Sequence, residues 1–444
     1  MEREHLIKPL LDRRYPKVRY GQGAYLYDED GKPYLDACSG AVTAGIGHGV
    51  EEIVEAMREQ AGKVSFVYRS QFTSEPAERL AKRLSDAAPG GGYWSFFVNS
   101  GSEATETAMK IAIQHWQERG KPEKTVILSR RMSYHGITLG ALSMSGHPVR
   151  RRRFEPLLEE WPLVAPPYCY RCPMGRTFPE CMLACADDLE AAIRRIGSEH
   201  IAAFIAEPVV GAAGGAVVPP DGYYRKVKEI CERNEILFIA DEVMTGIART
   251  GKLFGIEHWG VEPDLIALGK GLTAGYAPMA AAMAKDGVIE PILRGSRVVM
   301  SGHTFSANPL SAAVALAVLD YVEKHDLVQA AREKGERLFG RLREMAERCE
   351  IVGDVRGRGL LLGIEFVADR GTKRMFPPEA GITAKVVEVA FGKGLLVYPA
   401  AGGADGAGDA VIVAPPFTVT GEELDIAVRL LEETILEVAR EVRG

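Results

Sequence analysis

From about residue 93 to 300 the chain alternates short apolar runs with helical stretches. The runs SFFV 95–98, VILS 126–129 and AAFIA 202–206 are separated by predicted helices over 102–118, 186–196 and 221–233. Two further runs follow, Ile236–Ala240 and Asp264–Gly269. Short apolar runs bounded by polar and glycine residues read as strands buried on both faces. Strands alternating with helices predict a mostly parallel sheet covered by helices, the α/β class. In open sheets of this kind, ligands lie beyond the carboxyl ends of the strands. The last two runs stop at Asp241 and Lys270, so an acid and an amine are aimed into one crevice. A lysine there can form a Schiff base and an aspartate can hold a pyridinium nitrogen. That combination points to pyridoxal 5'-phosphate as cofactor.

The totals exclude several classes. The 444 residues suffice for two or three domain-sized units. A net charge of -6 gives no basic footprint for nucleic acid. No apolar stretch reaches the roughly 18 residues of a membrane helix. The start, Met1–His5, is charged and has no apolar signal-peptide core, so a cytoplasmic location is expected. Residues 18–36 read as a hairpin turning at Asp28–Gly31, and 50–62 and 74–87 as helices. Residues 308–348 read as largely helical, followed by a tail of mixed strands and helices ending in a helix over 421–441. We therefore expect a large unit over 61–319 and a smaller α+β unit from both chain ends, 1–60 and 320–444.

Four other strand ends carry candidate groups. Asn99–Ala104 leads into a helix, where backbone N–H groups and the helix dipole bind phosphate. Ser100, Gly101 and Ser102 could build that cradle, or simply cap the helix. Tyr134, in Ser133–Gly136 with His135, could stack on a flat cofactor or pack as a loop tyrosine. Glu207 could fix an arginine or a substrate amine, or be a surface carboxylate. Thr304 could donate to a phosphate or cap the next helix. Lys270 itself could be a solvated charge. The convergence of acid, lysine, cradle and aromatic on one alternating sheet argues for a site.

With these residues in view, the sequence resembles the class III aminotransferases of the fold type I group of pyridoxal phosphate enzymes. The matching stretches are NSGSEATETAMKIA 99–112, SYHGITLGALSMSG 133–146, AEPVVGAAGGAVVPPDGYY 206–224 and FIADEVMTGIARTGKLF 238–254. PDLIALGKGL 263–272, HTFSANPLSAAVALAVL 303–319 and VRGRGLLLGIEF 355–366 continue the family's order. The resemblance implies a large domain with a mostly parallel seven-stranded sheet. It makes Lys270 the Schiff-base lysine and proton carrier, and Asp241 the partner of the pyridine nitrogen. It assigns Gly101 and Ser102 to the phosphate cradle, Tyr134 to ring stacking, Val243 to the opposite ring face and Glu207 to the active-site glutamate. Thr304 matches a phosphate ligand supplied by a neighbouring subunit, which implies a homodimer or larger assembly with shared sites.

Two departures bear on substrate. Met244 stands where the ornithine and 4-aminobutyrate branches carry glutamine, which places the chain nearer the amine and diaminopelargonate branches. The family's carboxylate-binding arginines are also missing: Val411–Val413 precede Ala414–Pro416, Tyr398 follows the Gly394–Leu396 strand, and no Lys or Arg occurs between Leu395 and Val428. Arg150–Arg153 form a basic cluster that reads as a solvated surface. The stretch 400–409 is glycine-rich and reads as a flexible loop or lid. Cys169, Cys172, Cys181 and Cys185 could bind zinc, pair as disulfides or stay free thiols; no metal is expected at the catalytic positions. The expected reaction is amino transfer from a primary amine or ω-amino acid to a keto acid such as pyruvate. An aminomutase or epimerase on the same cofactor is the alternative, and a non-catalytic cofactor- or metal-binding protein a remoter one.

Overall fold

Seven strands form the central sheet, in the spatial order 93–98, 280–285, 265–268, 237–241, 201–206, 126–130, 163–164. The computed structural model describes residues 5–404 and 406–443; the first four residues of the charged start and Asp405 of the glycine-rich stretch lie outside these. The five strands from 265–268 to 163–164 run parallel. Ile201–Ala206, Leu237–Asp241 and Leu265–Leu268 are buried at every position, which is why each reads as an unbroken apolar run. Asp241 pairs in register with Ala267, so the aspartate and the segment leading to Lys270 leave the sheet side by side.

One strand of this sheet runs against the rest. Ala280–Lys285 is antiparallel to both Tyr93–Val98 and Leu265–Leu268. Its sequence, AAAMAK, carries no strand preference. The small side chains of Ala267, Ala280, Val98 and Ala104 pack together instead, letting the helix Gly101–Glu118 lie close on the sheet.

The chain ends meet in two further sheets. Val18–Gln22, Tyr25–Asp28 and Pro33–Asp36 form the expected hairpin region, and Leu395–Leu396 joins Pro33–Asp36 in parallel. The turn is held by Asp28 Oδ1, which accepts from the amides of Asp30 and Lys32. Val352–Arg358, Leu361–Phe366, Tyr398–Gly402 and Gly408–Val413 form the other sheet. The glycine-rich stretch is therefore strand at both ends, 400–402 and 408–409, rather than loop throughout: Ala400 pairs with Ala410 and Gly402 with Gly408. Backbone pairing supplies the bonds there, and small residues do not oppose it. The predicted helical stretch 308–348 divides into Pro309–Lys324 and Leu327–Arg348, broken at Asp326 with φ of 46°. Buried Arg249 ties these parts together, donating to the carbonyls of Leu360 (3.0 Å) and Pro415 (2.7 Å) and to Ser39 Oγ (3.2 Å).

Candidate active site

Beyond the carboxyl ends of the parallel strands lies a cavity that Lys270, Asp241, Glu207 and Tyr134 share with Gly101, Ser102, His135, Val243 and Met244. Of the residues singled out in the sequence, Ser100 and Thr304 do not line it. Ser100 caps the helix Gly101–Glu118, its hydroxyl accepting from the Glu103 amide at 3.3 Å. Thr304 is exposed, between exposed Met300 and Phe305.

Asp241 ends its strand and is buried. Its Oδ2 lies 2.7 Å from His135 Nδ1, and its Oδ1 accepts from the Val243 amide at 3.1 Å. A carboxylate only accepts, so Nδ1 of His135 carries the proton. His135 is pinned in turn: its amide donates to Ser145 Oγ (2.8 Å), and its carbonyl accepts from Thr105 Oγ1 (2.7 Å). His135 thus orients the aspartate. The sequence placed it at the site but did not reveal this bond, because a loop carries His135 and a strand end carries Asp241, 106 residues apart.

Glu207 does not grip an arginine with its carboxylate. Its two oxygens accept from the backbone amides of Tyr134 (2.9 Å) and Gly211 (2.8 Å). Buried Arg130 reaches only its carbonyl oxygen, at 2.8 Å. Glu207 therefore fixes the loop that carries the tyrosine ring. Burial pushes its carboxyl above the ordinary value, with His135 pulling the other way.

The helix start is close-packed. A Cβ on Gly101 would come within 2.7 Å of Val243 Cγ1, and one on Gly136 within 2.5 Å of Ser102 Oγ. Glycine is required at both places. The amides of Gly101 and Ser102 head the helix, where N–H groups have no partner within the helix and an anion is favoured. Ser102 Oγ accepts from the Ile137 amide at 3.0 Å.

Lys270 follows the buried strand Leu265–Leu268 and opens a short turn with φ of 39°. A lysine in the left-handed region is strained by about 1–3 kcal/mol and needs surroundings that hold it there. Burial pulls its amine below the ordinary value; Asp241 and Glu207 oppose this, and Arg150 adds to it. A depressed amine pKa favours the neutral, nucleophilic form.

The next residue after Asp241 secures the turn beneath the site. Glu242 is buried and accepts from the amides of Gly255 (2.9 Å) and Ile256 (2.7 Å) and from the Thr245 hydroxyl. Replacing it by alanine strands these donors, and we expect a loss of about 3 kcal/mol or more in unfolding free energy. Chemical denaturation measures this; a variant as stable as the parent contradicts it.

The run of four arginines does not behave as one solvated face. Arg151 donates to the carbonyls of Leu142, Ser143 and Ser145 at 2.8, 3.0 and 2.9 Å. The Arg150 guanidinium lies 4.4 Å from the centroid of the Tyr134 ring. Arg152 and Arg153 are exposed, as expected. Cys169, Cys172, Cys181 and Cys185 are free thiols, and no group of three or more His, Cys, Asp or Glu among the described residues is arranged to hold a metal ion. Their insert is instead anchored by Tyr168 and Arg171, which bind buried Glu365 at 2.6 and 2.5 Å.

Residues 12–435 match the family described as "Aminotransferase class-III". The chain is 54% identical to the uncharacterized aminotransferase YodT of Bacillus subtilis (strain 168), covering 99% of each. It is 32% identical to the putrescine–pyruvate aminotransferase of Pseudomonas aeruginosa, over 100% of this chain and 96% of that one. Among solved structures it resembles a thermostable (S)-enantioselective omega-transaminase from Thermomicrobium roseum. The TM-score is 0.91 with 38% identity, over 98% of this chain and 96% of the other. The fold is accordingly that of the fold type I transaminases, as the sequence motifs implied.

Proposed function

Because the chain belongs to the class III aminotransferases and is an aminotransferase, we propose that it moves an amino group from a primary amine or ω-amino acid to a keto acid such as pyruvate, with pyridoxal 5'-phosphate as cofactor. The observation that carries this reading is Lys270 in one cavity with Asp241, Tyr134 and Val243. The residues fit the cofactor. Tyr134 and Val243 offer an aromatic and an apolar face for a flat ring. The close-packed start of Gly101–Glu118 offers amides to a phosphate. Asp241, held by His135, offers a carboxylate to a ring nitrogen. Met244 has no hydrogen to donate to a phenolic oxygen.

The bound cofactor supplies an aldehyde to combine with amines and a ring that draws off electrons. Lys270 would anchor it and, once displaced by the incoming amine, would move a proton on and off the substrate carbon with its freed amine. Asp241 would hold a proton on the ring nitrogen. Glu207 would keep the loop that carries Tyr134 in place for stacking. The likeness to the putrescine–pyruvate aminotransferase of Pseudomonas aeruginosa supports this choice of donor and acceptor. In the same reading, residues 61–319 form the cofactor-holding unit and 1–60 with 320–444 the smaller one. The site is cytoplasmic, and the partners are small molecules rather than nucleic acid or membrane; no helix of the described residues is long and apolar enough to cross a membrane.

The test is full turnover. Supplied with 1-phenylethylamine and pyruvate, the protein yields acetophenone and alanine in equal amounts. Conversion of a single amino acid with no acceptor would make it an isomerase instead.

The active unit is a homodimer or larger in this reading, with Thr304 reaching a neighbour's phosphate site. Thr304 is exposed beside Met300 and Phe305, which are 75% and 58% exposed, and Phe66 and Phe72 are exposed as well. An apolar surface of this kind suits a second copy. Sedimentation equilibrium is expected to give at least twice the 48.3 kDa chain mass; a fully active monomer contradicts the Thr304 role.

A further inference from the structure

We propose that Arg150 binds the carboxylate of the keto acid and amino acid substrates, taking the place of the arginines that this chain lacks. The inference rests on the aminotransferase reading and names the substrate contact within it. The need is set by the sequence: between Leu395 and Val428 there is no positive side chain to receive a carboxylate.

Arg150 is the cation at the right place. Its guanidinium lies over the ring of cavity-lining Tyr134, at 4.4 Å from the centroid. It is half-buried. Among the charged groups that act on the Lys270 amine, Asp241 and Glu207 are negative and Arg150 is positive. Its helix, Pro148–Arg151, is braced from two sides. Arg151 holds three carbonyls, and a Cβ on Gly406 would come within 3.0 Å of Pro148 Cδ.

The neighbouring arginines are already committed. Arg130 is buried, bonded to Tyr224 Oη (3.0 Å) and the Glu207 carbonyl (2.8 Å). Arg356 pairs with Asp354 (2.8 Å) and Glu365 (2.7 Å) and donates to the Gly215 carbonyl. Arg171 pairs with Glu365 at 2.5 Å. No carboxylate of the described residues forms an ion pair with Arg150. Arg150 also hydrogen-bonds the Tyr134 side chain, and of the five N–H donors of a guanidinium enough remain for a carboxylate to take two.

This arrangement treats substrates differently. A carboxylate-bearing substrate bonds to Arg150, while a plain amine meets the tyrosine ring and needs no cation. Arg150→Ala and Arg150→Lys are therefore compared with the parent in each half-reaction, followed by absorbance. Arg150→Ala is expected to raise the half-saturating concentrations of L-alanine and pyruvate by about tenfold or more, the effect of losing a hydrogen bond to a charged group. The rise for 1-phenylethylamine is expected to be at least about tenfold smaller than that. Arg150→Lys keeps the charge but loses the fork, and falls between. Arg152→Ala, in the same run but exposed, is the control for general charge and is expected to match the parent.

A second readout needs no turnover. Titration of 3-phenylpropionate into the pyridoxal-loaded protein by calorimetry measures carboxylate binding alone, and Arg150→Ala is expected to weaken it by the same factor. Equal losses for amine and carboxylate substrates, or unchanged binding of 3-phenylpropionate, overturn the proposal. If the parent binds 3-phenylpropionate through Arg150 but transfers no amino group, the aminotransferase chemistry fails while the carboxylate site stands.

Discussion

Lys270→Ala is expected to leave a folded protein without amino transfer. The amine of Lys270 is both the anchor and the proton carrier of the proposed mechanism, and no other lysine lines the cavity. A positioned general acid–base group contributes roughly 10²–10⁴-fold by itself, so the loss should exceed about a thousandfold once the anchor is lost as well. The fold should tolerate the change. Lys270 already sits at φ of 39°, so alanine inherits the same backbone strain rather than adding to it. The substitution also removes an amine whose charged form burial disfavours. A thermal midpoint at or above that of the parent, with turnover gone and the visible band of the lysine-linked cofactor missing, is the expected result. Retained turnover in this variant would remove the mechanism altogether.

Asp241→Asn is expected to cost nearly as much. The asparagine keeps an oxygen for the Val243 amide, and the shape of the buried pocket is preserved. What goes is the negative charge that holds a protonated ring nitrogen in place. Removal of one preorganised electrostatic partner typically costs about 10²–10³-fold in kcat. The His135 bond at 2.7 Å adds a second effect, because the imidazole Nδ1–H would face an amide in place of a carboxylate. His135→Ala should therefore show a smaller loss in the same direction, through kcat more than KM, since it acts through Asp241. An Asp241→Asn variant within about threefold of the parent in kcat would contradict the assignment, as it falls far short of that range.

The central strands were legible because full burial on both faces forces unbroken apolar runs. The strands at 201–206, 237–241 and 265–268 fall within one residue of their expected bounds. Their ends therefore located Glu207, Asp241 and Lys270 correctly. Ala280–Lys285 was not legible: six residues that are mostly alanine carry no alternation, and only the sheet on either side makes them a strand. The hairpin through the glycine-rich stretch was hidden for a related reason, since its stability lies in backbone pairs that no side chain advertises. Glu207 was placed correctly, but its partners are backbone amides of Tyr134 and Gly211, to which a sequence gives no clue. The arginine run was misread because it was weighed as one unit. Pro148 opens a helical turn there, and successive side chains on a helix diverge by about 100°. Arg150 and Arg151 therefore point in different directions, the first toward Tyr134 and the second toward the carbonyls of Leu142, Ser143 and Ser145.

The most direct measurement of the central claim mixes the purified, pyridoxal-loaded protein with 1-phenylethylamine alone, records the visible spectrum, and then adds pyruvate. Amino transfer predicts that the cofactor's visible band disappears as acetophenone forms, that pyridoxamine phosphate accumulates, and that pyruvate restores the band while yielding alanine. A band unchanged by the amine, or one that pyruvate cannot restore, would contradict it.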